Sequence, residues 1–140
     1  MNCDKTMTFA LVDYQQGTLR ITGQHEEILV VRIGGRIERI DTMTLGFPLG
    51  LMEDISEFVD QILVELAPGE GIVLYTDGIT EAENQARELY GLPRLCQVIE
   101  QNWQYPVEQI RQAIVQSIQT YIGDHKIYDD ITVVVAKRDE

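Results

Sequence analysis

The chain has 140 residues, 44% hydrophobic and 24% charged, enough for a single domain with its own core. Its 23 acidic residues against 11 basic ones give a net charge of −12, which argues against nucleic acid as a partner, because phosphate backbones are gripped by clustered Lys and Arg. Cys3 and Cys96 make no disulfide framework, no run of about 18 apolar residues offers a membrane span, and no signal peptide opens the chain, so a reduced, cytoplasmic setting is expected.

The first part of the chain reads as strands. Thr6 to Tyr14 and Thr18 to Thr22 form a predicted hairpin about Gln15-Gln16-Gly17. A polar loop, Gly23 to Glu27, leads to a strand from Ile28 to Ile33. Gly34-Gly35 is then expected to be a two-residue turn into Arg36 to Ile40. Gly46, Pro48 and Gly50 among apolar residues mark Thr44 to Leu51 as an ordered loop over the core. Glu57 to Leu66 alternates imperfectly and is assigned to a strand, although helical spacing also fits its first half. Pro68-Gly69 is a turn, and Ile72 to Thr76 is a continuous apolar, β-branched and aromatic run that reads as a buried strand. Asp77-Gly78 is a turn dipeptide, and Thr80-x-x-Glu83 resembles a capping box that would start a short helix.

Helices dominate next. Leu92, Leu95, Val98, Ile99 and Trp103 lie at helical spacing, with Pro93 tolerable in the first turn. Pro106 opens a second helix whose core stripe is Val107, Ile110, Ile114, Ile118 and Tyr121, closed by Gly123. Cys96 falls in the helical apolar pattern and is expected in the core. Asp124 to Asp130 reads as a polar loop and Ile131 to Ala136 as a final strand. Strands first, helices late and a closing strand predict an α+β fold, one domain over residues 1–140, with a largely antiparallel sheet.

Asp77 ends one buried strand and Asp129-Asp130 begins another. If the two strands are antiparallel neighbours, the three carboxylates meet at one sheet edge, where they repel one another unless a cation lies among them. Oxygen ligands alone suit a hard ion, Mg²⁺ or Mn²⁺, rather than zinc. Spacing alone leaves the other reading open, in which Asp77 is a turn residue and Asp129-Asp130 merely flanks a strand.

The words Leu-Tyr-Thr-Asp-Gly-Ile-Thr-Glu-Ala-Glu-Asn (Leu74 to Asn84) and Tyr-Asp-Asp-Ile-Thr-Val-Val-Val (Tyr128 to Val135) resemble the SpoIIE-like, PPM-type protein serine/threonine phosphatases of bacteria. Gly23 to Arg32, Leu45 to Leu51 and Tyr90 to Leu95 are similar to further segments of that family, in family order. The resemblance implies an α-β-β-α sandwich of which the C-terminal part is present. It also implies two Mn²⁺ or Mg²⁺ ions that activate a water for in-line attack on phosphoserine or phosphothreonine. By this resemblance Asp77 is a metal ligand, Asp129 is the later one with Asp130 beside it, and Gly78 lets the backbone pass closely behind Asp77. Thr132 is expected to pack or hydrogen-bond beneath the loop. The implied partners are a phosphorylated regulatory protein of the anti-sigma-antagonist kind and an upstream sensory or receiver domain.

The family's Gly-Asp-x-x-Gly-His-Gly segment, whose aspartate bridges the two metals, does not occur in these 140 residues; Asp4 and Asp13 lack its context. Two functional readings follow: a phosphatase domain catalytically incomplete as this chain, or a phosphatase-derived module acting through protein contacts. A bare cation-binding domain explains the aspartates but not the other family words. His25 reads as a loop residue buttressing the hairpin, ahead of a catalytic or phosphate-contacting role, and His125 as a solvated loop residue, ahead of one approaching the acidic site near Asp129. Arg20, Arg32, Arg36 and Arg39 would meet either a phosphate or solvent. Half of a sandwich leaves strand edges unpaired, so self-association by strand pairing is expected.

Overall fold

The computed structural model describes residues 9–24, 27–41, 61–123 and 131–139. Strands β1 (Phe9–Gln15) and β2 (Thr18–Gln24) form the predicted hairpin. Its turn residues Gln16 and Gly17 both have positive φ, 51° and 85°, as a two-residue hairpin needs to match the twist of its strands. Strand β5 (Gln61–Glu65) pairs antiparallel with β2 to complete a sheet of order β1-β2-β5. A second, wholly antiparallel sheet has the order β4-β3-β6-β7, built from β3 (Ile28–Val31), β4 (Ile37–Ile40), β6 (Gly71–Tyr75) and β7 (Val133–Lys137).

The second sheet is the middle layer, which explains why Ile28-Leu29-Val30-Val31 shows no alternation: all four are buried. Ile28, Val30 and Ile72 face the first sheet, against Leu19, Ile21 and Val64. On the opposite face Leu29, Val31, Val73 and Tyr75 pack against Leu95 and Ile99 of α2 (Gly91–Asn102) and Ile110, Ile114, Ile118 and Ile122 of α3 (Val107–Ile122). Fully burying one such side chain contributes about 2 kcal/mol, so these two interfaces dominate the stability of the fold. The described layers are thus helices, sheet and sheet.

The turn between β3 and β4 differs from expectation. Strand β3 ends at Val31, and Ile33–Gly35 forms a 3₁₀ turn that takes the place of a two-residue connection. Arg32 N–H closes it on the Arg36 carbonyl at 2.7 Å. Gly34 and Gly35 have φ of 86° and 91°, and a methyl on Gly35 would lie 3.0 Å from the Glu100 carbonyl oxygen of α2. That close approach to α2 selects the longer turn. In α3 the stripe is displaced by one position: Ile122 is buried, whereas Val107 is 39% exposed and Tyr121 only partly covered. Cys96 is half-buried against the core. The loop assigned to Thr44 to Leu51 and the start of the Glu57 to Leu66 strand lie outside the described residues.

Glu70, at the entrance to β6, is the buried charged residue of the described fold. Its carboxylate accepts from Ala67 N–H at 2.9 Å, Ile33 N–H at 3.2 Å and the Arg32 guanidinium at 3.1 Å. Burial pushes the Glu70 carboxyl up, but those three donors together hold it below its ordinary value. Trp103 locks the same end of the sheet, its indole N–H reaching the Gly69 carbonyl at 2.9 Å. This end is rigid, and β6 runs from it to the candidate site.

Candidate functional site

One residue, Thr76, separates Asp77 from the buried end of β6 at Tyr75. Thr76 is extended (φ −104°, ψ 161°), and Asp77 is the first residue of α1 (Asp77–Thr80). The expected order of turn then helix is therefore corrected: Asp77-Gly78 begins the helix, and Thr80 ends it. Ile79 N–H returns to the Thr76 carbonyl at 3.0 Å and Glu81 N–H to the Asp77 carbonyl at 2.8 Å, so the strand passes into the helix without an intervening turn. The capping box does not form; the Thr80 hydroxyl faces back to the Asp77 carbonyl at 3.4 Å, and Glu83 instead bridges Leu89. Gly78 is buried inside α1 with helical backbone.

The Asp77 side chain is exposed, and among the described residues no donor or cation reaches its carboxylate. The first turn of a helix favours negative charge. An unpaired, exposed carboxylate anchored to a rigid strand fits a ligand for a hard divalent cation, and nothing at its position favours a soft one.

Strands β6 and β7 are antiparallel neighbours, with Tyr75 opposite Val133 and Gly71 opposite Lys137. Thr76 extends this ladder beyond the strands, its N–H donating to the Thr132 carbonyl at 3.1 Å while its hydroxyl accepts Thr132 N–H at 3.3 Å. The end of β6 and the residues leading into β7 therefore share one edge of the sheet. Sequence reasoning missed the part Thr76 plays here; a hydroxyl at the strand end, just before Asp-Gly, was the available signal.

Asp129 and Asp130 lie outside the described residues, as do His25 and His125. Among the described residues no group of three or more His, Cys, Asp or Glu side chains converges. Three of the four early arginines have carboxylate partners: Arg32 pairs with Glu38 and Glu70, Arg36 with Glu38, and Arg39 with Glu27, and Arg36 and Arg39 also face solvent as the sequence allowed. Thr132 bonds through its backbone, with its side chain exposed.

Beyond α1 the chain makes a tight excursion before α2. Tyr90 N–H returns to the Ala82 carbonyl at 2.7 Å, and Asn84 N–H to the Glu88 carbonyl at 3.1 Å, leaving Gln85-Ala86-Arg87 as a three-residue tip. The Asn84 side-chain oxygen accepts Glu88 N–H at 2.9 Å, and the Tyr121 hydroxyl of α3 donates toward the Glu88 and Leu89 carbonyls at 3.0 and 3.1 Å.

Helices over two stacked antiparallel sheets are the fold of part of the solved PP2C-type phosphatase domains. The SiaA PP2C domain of Pseudomonas aeruginosa superposes with a TM-score of 0.66 at 22% identity, covering 89% of this chain and 48% of that one. The phosphatase domain of the cell fate determinant SpoIIE from Bacillus subtilis, presoaked with Mn, gives 0.63 at 16% identity over 96% of this chain and 56% of that one. The chain belongs to the Stage II sporulation protein E (SpoIIE) family, whose model matches residues 4–139. Protein IcfG of Synechocystis sp. (strain PCC 6803) is 28% identical over 134 residues, which are 95% of this chain and 20% of IcfG. The chain thus spans about half of the solved domains it matches and a fifth of that curated relative. Among the described residues no helix is long and apolar enough to cross a membrane.

Proposed function

We propose that this chain serves metal-dependent hydrolysis of phosphoserine or phosphothreonine on a bacterial regulatory protein, with Asp77, Asp129 and Asp130 as ligands of Mn²⁺ or Mg²⁺. Membership of a phosphatase-domain family supports the reaction class. The observation that carries the assignment of ligands is the β6–β7 ladder, prolonged by Thr76 and Thr132, which brings the chain on both sides of it to one sheet edge. Asp77 would hold a cation from the β6 side and the Asp129-Asp130 pair from the β7 side, while α1 orients the Asp77 carboxylate. A bound divalent ion supplies an activated water and neutralises phosphoryl charge. The substrate fitting this reading is a phosphorylated protein of the anti-sigma-antagonist kind, and the chain by itself is catalytically incomplete.

Calorimetric titration with Mn²⁺, run beside hydrolysis of p-nitrophenyl phosphate, tests it. The parent binds Mn²⁺, and Asp77→Asn binds at least tenfold more weakly. An Asp77→Asn variant that binds Mn²⁺ like the parent overturns the ligand assignment. Metal binding without turnover identifies a phosphatase-derived regulatory module that needs further residues for catalysis.

A further inference from the structure

The two sheets do not close on each other at the end where β6 begins. Tyr14 stands opposite Leu19 in the β1–β2 ladder, and Ala136 opposite Ile72 in the β6–β7 ladder. Residues paired in this way point to the same face of their sheet. Leu19 and Ile72 belong to the core between the sheets, so Tyr14 and Ala136 face inward too. Tyr14 nevertheless remains 50% exposed, and Ala136 is exposed as well. The small side chain of Ala136 leaves unfilled the space that a larger one on β7 would occupy. The result is a cleft of about 440 Å³, walled by Tyr14, Leu19, Leu66, Ile72, Ala136 and Arg138. Protein interiors normally pack without such gaps. Sites for small molecules, by contrast, measure about 300–1,000 Å³ and combine apolar walls with a few polar groups.

The polar group here is Arg138. Its backbone is fixed on both sides, the N–H donating to the Glu70 carbonyl at 2.7 Å and the carbonyl accepting Gly69 N–H at 2.9 Å. Its guanidinium donates to the Leu66 carbonyl and lies against Gly17, where a Cβ would come within 2.7 Å of Nη1. The bond to Leu66 occupies one of five N–H donors. Glu65 and Glu70 line the adjoining surface and Asp139 follows in sequence, yet among the described residues no carboxylate pairs with Arg138. Glu70 is taken by Arg32. Lys137 turns its ammonium to the Trp103 and Tyr105 carbonyls on the helix side. Arg138 is therefore a partly buried cation without a counter-charge among the described residues, in a chain of net charge −12.

Apolar walls and one uncompensated guanidinium call for a ligand with both characters. A neutral apolar molecule would strip water from Arg138 and return nothing to it. A carboxylate on a hydrocarbon chain covers the walls and accepts paired hydrogen bonds from the guanidinium. The acidity of the chain disfavours general adsorption of anions, so an anion bound here is held by this local contact.

We propose that the cleft between the two sheets is a binding site for an amphipathic carboxylate, with its hydrocarbon chain against Tyr14, Ile72 and Ala136 and its carboxylate on Arg138. The site borders the opposite end of β6 from Asp77 and does not rest on the phosphatase reading.

Calorimetric titration of the whole chain with sodium octanoate, and separately with 1-octanol, tests it. The parent binds octanoate with a Kd on the order of 10⁻⁴ M, and 1-octanol at least fivefold more weakly. Ala136→Leu fills the cleft and weakens octanoate binding at least tenfold. Arg138→Gln brings octanoate to the level of 1-octanol, and Arg138→Lys keeps part of the preference. Arg111→Gln, which removes a positive charge from α3, changes neither affinity. Arg138→Gln also gives up the contact with Leu66, so each variant is melted beside the parent. Should Arg138→Gln fail to fold, Ala136→Leu and the two ligands on the parent decide. A parent that binds neither ligand or prefers neither overturns the proposal. So does Ala136→Leu binding octanoate like the parent, or a folded Arg138→Gln that retains the preference.

Discussion

Thr76 and Thr132 form a pair beyond the ends of their strands: Thr76 N–H gives to the Thr132 carbonyl at 3.1 Å, and its hydroxyl takes Thr132 N–H at 3.3 Å. One side chain thereby ties the segment entering Asp77 to the segment entering β7. Thr76→Val keeps the shape and removes the acceptor, leaving an exposed N–H to water. The expected cost to stability is about 1 kcal/mol, with a larger fractional loss of Mn²⁺ affinity, read by denaturant unfolding and calorimetry on the same preparation. Unaltered Mn²⁺ affinity would separate this pair from the site.

Gly71 shows how closely β6 and β7 approach. A methyl group there would overlap the Ala136 carbonyl oxygen and sit 2.8 Å from the Lys137 Cα, both backbone positions that no rotamer can move. Gly71→Ala is expected to lose about 3 kcal/mol of stability by forcing the strands apart. Metal affinity falls with it, although Gly71 lies at the far end of β6 from Asp77. A variant as stable as the parent would show that this end of the ladder is loose.

Glu70 supplies a pH-dependent contribution. Replacing it by glutamine leaves a donor where Ala67 N–H, Ile33 N–H and Arg32 also donate, at an expected cost of about 2 kcal/mol at pH 7. The folded carboxyl lies below its ordinary value of 4.5, so its stabilisation is present above pH 4.5 and is lost as pH falls through the lower folded value. Urea unfolding of parent and Glu70→Gln at pH 7 and in acid should show the gap between them closing in acid. A gap that is constant with pH would mean that the carboxylate charge contributes nothing.

Ile114, fully buried at the centre of α3, contacts the core that seats both helices on the middle sheet. Ile114→Ala is expected to lose about 3–4 kcal/mol through lost burial and the cavity left behind. Trp103, the chain's single tryptophan and itself buried, reports the transition by fluorescence. A loss below 1 kcal/mol would indicate that the helix layer repacks freely.

Much of the architecture was legible from periodicity. The Ile110, Ile114, Ile118 spacing and, in the run Ile72 to Tyr75, all but the partly covered Leu74 bury where their patterns require, because burial of apolar area overrides most local preferences. The errors arose at junctions. Thr80-x-x-Glu83 is an acceptable capping box, yet the extended Thr76 lets the helix start at Asp77, and the Glu83 backbone forms a bridge with Leu89 instead of entering a helix. Gly34-Gly35 satisfies a two-residue turn as well as a 3₁₀ turn, and the contact with Glu100, distant in sequence, decides between them. Arg32 looks like a free cation until the fold brings Glu70, 38 residues away, beside it.

From residue order alone came the strand and helix content, the apolar faces and the words that mark the phosphatase family, since these depend on neighbours a few positions apart. Only the tertiary structure decided that β6 and β7 are antiparallel partners, that Thr76 and Thr132 bind each other 56 residues apart, and that Arg87 holds a left-handed backbone. Those outcomes depend on which distant surfaces exclude water together, and no local pattern encodes that choice.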